Sequence, residues 1–527
     1  MLDFHDEYPL AYLANRLRRF ITRFDCLLFL AIFSASLLVH LYMFTHKFIN
    51  HDDVSGLYSD CSFGLSSGRW LLKTITGLTG NFSSSWLNGL AGAVCLAAAA
   101  VLIARLFRMQ HLLPALLMGV CLVSFPTVAS TYAYMFCSTQ YLFALAFSVL
   151  GAVLIRQERL LAMIAGSVAI ALAMGCYQAY FCLAAALLLT VCGLDLLEDR
   201  YGDNWKDFFF TALKYVTFLA LGMVLYFVIL KVCLWATGTQ LISYQGIDTM
   251  GRVSAGQLIN RIKDAYLGFR WFVLNGSGVF HSFFPLLMIA CGLLTLVVVA
   301  GAVWSKRLYR RPMMMTFLAL VLLLFPLACC LVYVMVDASM EEVHQVMLFP
   351  TVLPLILPAV ALDRLTFSGF AAAYGGRWKK ELCLVLTVAL LVVQGVACYE
   401  CIFITNRAYF CMDITYENVY AYYTKLTAKL EMQEDYTPES RVAFIGTASM
   451  DSFVPSTQMT GVITGNDALN IYSYRYFLKY YLGTHYDFIP SAIESKITAT
   501  EEFTKMPCYP AEGSIRTIDG IITVKFS

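Results

Sequence analysis

Charged residues are scarce in this sequence. Only 14% of its 527 residues are Asp, Glu, Lys or Arg, while 59% are hydrophobic. Soluble domains carry about 25% charged residues, so the composition excludes an ordinary soluble protein and indicates a chain that crosses a membrane several times. The formal net charge is only +2, which indicates no nucleic-acid partner and no strongly acidic one.

The sequence also lacks the motifs that bind nucleotides or structural zinc. It has no Walker A loop and no dinucleotide-binding GxGxxG motif. Its CxxC motif, Cys398 to Cys401, has no second pair and no nearby histidine, so we expect no zinc site there. No internal repeat and no low-complexity tract is visible. The functional candidates must therefore be sought among the polar residues of the membrane region.

Apolar runs long enough to cross a bilayer fill the first 404 residues. A spanning helix needs about 20 predominantly apolar residues, and we predict eleven such segments. Lys and Arg cluster in every second connection, which places the N-terminus in the cytoplasm and the residues after the last span outside it. The predicted spans are residues 26–46, 84–106, 111–130, 141–155, 160–176, 179–195, 208–235, 283–304, 313–336, 346–362 and 382–404.

The composition changes after residue 404, because residues 405–527 carry no long apolar run. In this tail we predict helices near residues 415–432 and 468–483, a strand at 441–446, and a terminal hairpin that turns at Asp519-Gly520. The predicted fold class is therefore a polytopic α-helical membrane protein with a small C-terminal α/β domain outside the membrane. The predicted domains are residues 1–404 and 405–527.

Polar residues gather in the connections that this orientation places outside. Ionisable groups near membrane depth are energetically costly, so they are functional candidates by default. An amphipathic helix is predicted near residues 254–275, and the polar CYQAY at 176–180 interrupts the apolar region. Together the patches predict a polar cavity on one face, as in a membrane enzyme or a transporter. The candidate residues are His51, Asp52, Asp53, Arg69, Tyr177, Gln178, Arg270, Glu341 and His344.

These residue types are typical of group transfer to a hydroxyl. Asp52 or Asp53 would act as general base on an acceptor hydroxyl, since two adjacent acids resist joint ionisation and one pKa rises. An arginine would hold a departing phosphate in bidentate fashion, and Arg69 is the first candidate. The alternatives are Lys231, Arg252 and Arg270.

Each candidate also has a plainer interpretation. The acids could cap a helix end at the membrane surface, with or without His51 as their partner, and Arg69 could anchor the chain at the interface. Gln178 and its neighbour in YQAY could line the cavity or form helix–helix hydrogen bonds. Glu341 and His344 could contact substrate or a divalent cation, or belong to a solvated loop. No cofactor is required, and a divalent cation is left open.

Four stretches of the chain resemble a known family. They are INHDD after the first predicted span, GLSSGRW in the same connection, YQAY within the membrane region, and the terminal YPAEGSIRTIDGIITVKF. In these motifs and in its layout the sequence resembles the bacterial glucosyl transferases of the Gtr type II kind. These are integral-membrane enzymes that add glucose to surface polysaccharide such as O-antigen.

This resemblance implies a glycosyltransferase of the GT-C type in the bacterial cell membrane. Such enzymes take the sugar from a polyprenyl-phosphate carrier, invert the anomeric centre and place a catalytic acid in the first outer loop, which corresponds to Asp52 or Asp53. Family members work beside a polyprenyl-phosphate-glucose synthase and a small flippase. The resemblance also implies a basic phosphate ligand near the tenth span, where this chain has only His344 and Gln345.

Two other function classes stay open at this point. A transporter or flippase of lipid-linked sugars would use the acids as a gate and would show inverted repeats, which the hydropathy does not display. A surface sensor or assembly scaffold would work through the tail, and the membrane acids would be dispensable. The expected partners are otherwise the lipid bilayer, a lipid-linked sugar donor and a surface glycan acceptor.

Overall fold

Helices dominate the computed structural model of the protein. The structure describes residues 9–18, 20–46, 51–56, 64–78, 83–243, 255–275, 283–335, 343–366, 379–448 and 473–526. Each of the eleven apolar segments predicted from the sequence contains helix. A mostly helical chain with several long apolar helices, as a membrane protein has, is therefore confirmed.

The first half of the chain contains eleven helices among the described residues. α4 is a short helix that carries the candidate acids, and α9 begins only two residues after α8 ends. In chain order they are α1 (Pro9–Leu17), α2 (Arg23–Val39), α3 (Leu41–Thr45), α4 (His51–Gly56), α5 (Leu72–Leu78), α6 (Ser85–Leu106), α7 (Leu112–Ser124), α8 (Pro126–Ala133), α9 (Met135–Arg156), α10 (Leu160–Cys176) and α11 (Phe181–Leu197).

The second half contains ten helices among the described residues, and five of them have 18 residues or more. They are α12 (Trp205–Thr237), α13 (Ala255–Asn275), α14 (Phe283–Ser305), α15 (Pro312–Cys329), α16 (Val332–Met335), α17 (Leu353–Arg364), α18 (Lys379–Glu431), α19 (Tyr474–Tyr481), α20 (Ser491–Thr498) and α21 (Glu501–Lys505). Short 3-10 turns lie at Gln178–Tyr180, Leu308–Arg310, Gln345–Met347 and Phe349–Val352. The predicted amphipathic helix is α13, and YQAY does interrupt the apolar region between α10 and α11.

Fewer helices than eleven are single, uninterrupted spans. Within the described residues, seven are long and apolar enough to cross a membrane, or eight if the bent pair α7 and α8 counts as one. The first predicted span is divided at His40, whose buried ring is hydrogen-bonded to the Tyr409 hydroxyl (2.7 Å) and the Val123 carbonyl (2.9 Å). α10 has only 17 residues, and α17 has 12 after two 3-10 turns. Hydropathy therefore located the segments but not their breaks.

The predicted outer connection at residues 131–140 was wrong in its conformation. The segment is helical except at Tyr134, and α9 begins at Met135 rather than near residue 141. Its polar side chains are buried and bonded to neighbouring helices: Gln140 donates to the Thr76 hydroxyl (2.9 Å) and Thr139 to the Asn88 carbonyl (3.3 Å). These polar side chains form hydrogen bonds between helices. Composition alone does not distinguish such residues from the polar residues of a loop.

α18 is the longest helix, with 53 residues, and it passes residue 404 without interruption. Residues 405–431 contain no glycine and no proline, so nothing in the chain stops the helix at the end of its apolar part. Beyond residue 404 it carries a buried stripe at Thr415, Val419, Tyr423, Leu426 and Leu430, spaced by three or four residues as one helix face requires. The predicted helix at 415–432 is the end of α18, and the predicted domain boundary stays a prediction.

The tail also contains a four-stranded sheet. β1 (Arg441–Ile445) lies between β2 (Asp487–Phe488) and β4 (Ile521–Lys525), parallel to both, and β3 (Ile515–Ile518) pairs antiparallel with β4. Asp519 and Gly520 connect β3 to β4 with positive φ angles of 50° and 74°, as a tight hairpin turn requires. The strand and the hairpin predicted from the sequence are confirmed.

The tail packs against the short helix that carries the acids. Val54 of α4 is only 1% exposed and belongs to one apolar cluster with Val419 and Tyr423 of α18 and Phe477 of α19. On its other side α4 contacts α9. The helix that carries the acids therefore lies between α9 and the tail.

We expect Val54→Ala to lower the free energy of unfolding by about 1–3 kcal/mol, since it removes two buried methyl groups from this contact. Thermal unfolding in detergent and limited proteolysis of the tail would measure the effect. Val216→Ala is the matched control, because Val216 is 61% exposed. Equal behaviour of the two variants would contradict the packing of α4 on the tail.

Candidate functional site

Asp53 is buried and holds the first turn of α9. Its side chain is 2% exposed. One carboxylate oxygen accepts a hydrogen bond from the backbone N–H of Phe136 (3.0 Å), and the other accepts from the Ser83 hydroxyl (3.2 Å). Phe136 is the second residue of α9, where backbone N–H groups have no partner within the helix and negative charge is favoured. Asp53 therefore caps a helix, but that helix is α9 rather than its own.

Asp52 lies on the same turn of α4 and is half-buried. Consecutive side chains on a helix diverge by about 100°, so Asp52 points away from the pocket that Asp53 fills. The two acids thus have different surroundings: Asp53 is buried against the start of α9, and Asp52 is half-buried. His51 begins α4, and its side chain lies outside the described part of the chain.

Arg69 lies against two tyrosines. Its guanidinium donates to the Tyr141 hydroxyl (3.0 Å) and lies 5.0 Å from the centre of the Tyr177 ring. The two rings are stacked at 4.2 Å. A guanidinium over aromatic faces is held by cation–π attraction and keeps its planar array of donors in one orientation. Arg69 is therefore a fixed positive charge, half-buried beside the YQAY segment.

The loop that carries Arg69 is fastened to the YQAY break. Gln178 donates to the Ser67 carbonyl (2.9 Å) and to the Tyr226 hydroxyl (3.1 Å), and that hydroxyl donates to the Gly68 carbonyl (2.9 Å). Leu71 donates its backbone N–H to the carbonyl of Gly175 (2.8 Å). The polar residues of GLSSGRW and YQAY, which the sequence predicted to share one face, are thus in direct contact.

One acid and the arginine are attached to the same helix. Asp53 binds Phe136, and Arg69 binds Tyr141, five positions further along α9. With a rise of 1.5 Å per residue, the two attachment points are about 7.5 Å apart along the axis. The structure therefore fixes the Asp53 carboxylate and the Arg69 guanidinium on the first two turns of α9.

The other candidate residues are less tightly grouped. His344 begins the 3-10 turn at Gln345–Met347, and Gln345 accepts a hydrogen bond from Ser130 of α8 (3.2 Å). This places His344 next to α8, the helix just before α9. Arg270 is exposed on α13, and Glu341 lies outside the described residues. The structure thus joins Asp53, Arg69 and YQAY through α9, whereas His344 lies beside α8 and Arg270 is exposed on α13.

Among the residues that the structure describes, no group of three or more His, Cys, Asp or Glu side chains is arranged to hold an ion. The acid-and-histidine group considered from the sequence includes Glu341, which is not among those residues.

Three partners of the site were not predicted from the sequence. Tyr141 and Tyr226 lie inside apolar runs, where tyrosine is common and gives no separate signal. Asn88 donates to the carbonyl of Met135 (2.9 Å) and so supports the start of α9. An asparagine inside a predicted span is a polar residue in need of a partner, and that signal was available.

Gly175 allows Trp70 to approach the YQAY break. A Cβ atom at this position would lie 2.6 Å from the Trp70 ring, so we expect Gly175→Ala to displace the Arg69 loop and to destabilise the protein by about 1–3 kcal/mol. Thermal unfolding monitored by tryptophan fluorescence would measure this. Gly292→Ala is the control, because nothing lies within 4 Å of its added Cβ. A Gly175→Ala protein as stable as this control would contradict the contact.

Comparison with known proteins supports an assignment to a family. No curated protein and no solved structure matches the chain. A family profile does match, over residues 41–355, and its description is Glucosyl transferase GtrII. The match contains α4, the Arg69 loop, the start of α9 and YQAY, and it covers more than half of the 527 residues. The chain therefore belongs to the GtrII glucosyl transferase family.

Proposed function

We propose that this protein transfers glucose from a polyprenyl-phosphate carrier to a hydroxyl of a surface glycan on the outer face of the bacterial cell membrane. The observation that carries the proposal is the attachment of one acid of the pair, Asp53, and of a fixed arginine, Arg69, to the first two turns of α9, with Asp52 half-buried on the same turn of α4 as Asp53. Glucosyl transfer needs both a base for the acceptor and a cation for the phosphate that leaves.

The reaction is a single displacement with inversion. The acceptor oxygen attacks the anomeric carbon of glucose, and a C–O bond forms while the bond from that carbon to the phosphate oxygen breaks. The acceptor proton passes to a carboxylate, and polyprenyl phosphate leaves with the electron pair. We assign the base role to Asp52, because it is less buried than Asp53, and a positioning role to Asp53, because both of its oxygens accept hydrogen bonds at the start of α9, from Phe136 and Ser83.

Arg69 is assigned to the departing phosphate. Negative charge develops on the phosphate oxygen as the bond to glucose breaks, and a preorganised cation in partly buried surroundings stabilises that charge more than water does. Tyr141 and Tyr177 hold the guanidinium in place before the substrate arrives. Tyr177 and Gln178 then serve mainly to position Arg69 and its loop.

A lipid-linked donor suits a site in this setting. The chain has no nucleotide-binding motif, and the residues of the site lie between long apolar helices. A polyprenyl tail would occupy the bilayer while its phosphate and sugar reach α4 and α9. This proposal includes the GT-C type architecture, eleven spans, a cytoplasmic N-terminus, a tail outside the membrane, and a synthase and flippase that supply the donor.

One feature favours a second candidate, a flippase of lipid-linked sugars. Helices α7 and α8 form a bent pair, and α10 and α11 are separated by a 3-10 turn. Discontinuous helices are frequent around transporter sites. In that case the acids would affect the passage of the lipid across the bilayer rather than covalent transfer.

Proteoliposomes containing the purified protein would separate the two candidates. Labelled glucose would be supplied on polyprenyl phosphate or on a nucleotide, together with a surface-glycan extract. We expect label in the glycan from the lipid-linked donor alone. Labelled lipid that crosses the bilayer without labelling the glycan would identify a flippase, and transfer from the nucleotide would refute the proposed donor.

A further inference from the structure

Three tyrosines are exposed on two helices of the tail that pack on the same phenylalanine, Phe477. Tyr476 and Tyr480 lie one turn apart on α19, and their rings are almost parallel, with an angle of 14° and centres 6.2 Å apart. Tyr420 projects from α18, and its ring is 6.5 Å from Phe477, which is buried between the two helices. Their exposed fractions are 42%, 36% and 40%. Tyr420, Tyr476 and Tyr480 are called the tyrosine platform below.

Core packing does not account for these three side chains. The same two helices bury other tyrosines: Tyr474 stacks on Phe444, and Tyr423 lies against Phe477. The core of the tail is thus formed without the platform. Large aromatic side chains that stay exposed as a group mark an interaction surface more often than isolated ones do.

The platform lies too far along α18 to belong to the aromatic belt of the membrane. Tyr420 is 16 residues beyond residue 404, where the last predicted apolar run ends, which corresponds to about 24 Å of helix. The headgroup region adds only about 5–7 Å on each side of the hydrocarbon core. Phe403 and Phe410, which are exposed on the same helix, are better placed for the interface.

The platform is also linked to the helix of the candidate base. Phe477, the neighbour of Tyr476 in the chain, shares an apolar cluster with Val54, two positions after Asp52 on α4. α4 and α19 are in contact. The helix that carries Tyr476 and Tyr480 therefore also packs on the helix that carries the acids.

We propose that the tyrosine platform binds sugar rings of the acceptor glycan and directs the glycan toward Asp52. This inference rests on the proposed function. A pyranose ring presents a face of C–H groups that packs on an aromatic ring, while its hydroxyls bond to polar groups at the edge. Two parallel rings one helical turn apart suit successive sugar units of one chain. Lys479 is exposed on α19, and its ammonium group lies 5.5 Å from the centre of the Tyr480 ring, so it supplies donors beside the rings.

The test is the binding of an oligosaccharide fragment of the surface polysaccharide to the full-length protein in nanodiscs without donor. The variants are the double substitutions Tyr476→Ala with Tyr480→Ala, and Tyr476→Phe with Tyr480→Phe. We expect the alanine pair to weaken binding about tenfold or more and the phenylalanine pair to retain most of it, because the ring faces remain. Met432→Ala, at a residue 82% exposed on the tail, is the control.

Kinetics then distinguish this inference from the proposed function. If the wild type transfers glucose, the alanine pair should raise the KM for the acceptor and leave the KM for the lipid donor unchanged. Glycan binding that depends on the platform in a protein without transfer activity would support the platform and refute the proposed function. Unchanged glycan binding in the alanine pair would overturn the inference. If the alanine pair instead impaired insertion into nanodiscs and left glycan binding intact, the platform would be a membrane contact and the inference would also fail.

Discussion

Asp52→Asn is expected to lower kcat for glucosyl transfer by about 10²–10⁴, the usual contribution of a general base. The amide has nearly the same shape as the carboxylate but does not accept the proton of the acceptor hydroxyl. The change lies at a half-buried position, so the thermal stability of the protein should change little. The measurement is the initial rate of transfer at saturating donor and acceptor, beside an unfolding curve.

Asp53→Asn is the matched comparison, and we expect it to affect stability more than Asp52→Asn does and kcat less. The carboxylate of Asp53 accepts hydrogen bonds from Phe136 and Ser83 at the start of α9. An amide provides one acceptor oxygen and no charge, so a capping contribution of about 1 kcal/mol should be lost. We expect a lower unfolding temperature and a smaller loss of kcat. If Asp53→Asn were stable and lost more kcat than Asp52→Asn, Asp53 would be the base and Asp52 the positioning residue.

Arg69→Ala is expected to produce the second-largest loss, about 10²–10³ in kcat/KM for the lipid donor. The substitution removes the charge that faces the departing phosphate. Arg69→Lys should restore only a small part of this activity, because an ammonium group lacks the planar donor array that stacks on Tyr177 and reaches Tyr141.

Arg270→Ala is the control for this prediction. Arg270 was an alternative phosphate ligand, and it is exposed on α13. Its replacement should leave kcat/KM for the donor nearly unchanged. A larger effect at Arg270 than at Arg69, with both proteins folded, would move the phosphate site to α13.

Much of this fold could be predicted because its signals are local. Apolar runs locate the helical segments, and Asp519-Gly520 identifies the terminal hairpin, since each depends on a few neighbouring residues. The length of α18 could not be predicted in this way. Its last 27 residues, 405–431, lose their apolar character but keep one buried stripe against a sheet formed much later in the chain.

In the candidate site, too, the local signals could be read from the sequence and the contacts created by folding could not. Sequence reasoning selected Asp52, Asp53, Arg69 and YQAY because they are polar residues near apolar runs. It did not separate the two acids, because the difference between them arises from Phe136 and Ser83, more than 29 positions away along the chain. Tyr141 and Tyr226 were also missed, since their hydrogen bonds to the Arg69 loop are created only by the folding of α9 and α12.

Chemical rescue of an alanine variant would test the role of Asp52 most directly. Asp52→Ala and Asp53→Ala would each be assayed for glucosyl transfer from the lipid donor with and without added formate, a small carboxylate that can enter the vacated space. We predict that Asp52→Ala is nearly inactive and regains activity with formate, while Asp53→Ala does not respond. Wild-type activity in Asp52→Ala, or rescue of Asp53→Ala alone, would contradict the assignment of Asp52 as the base.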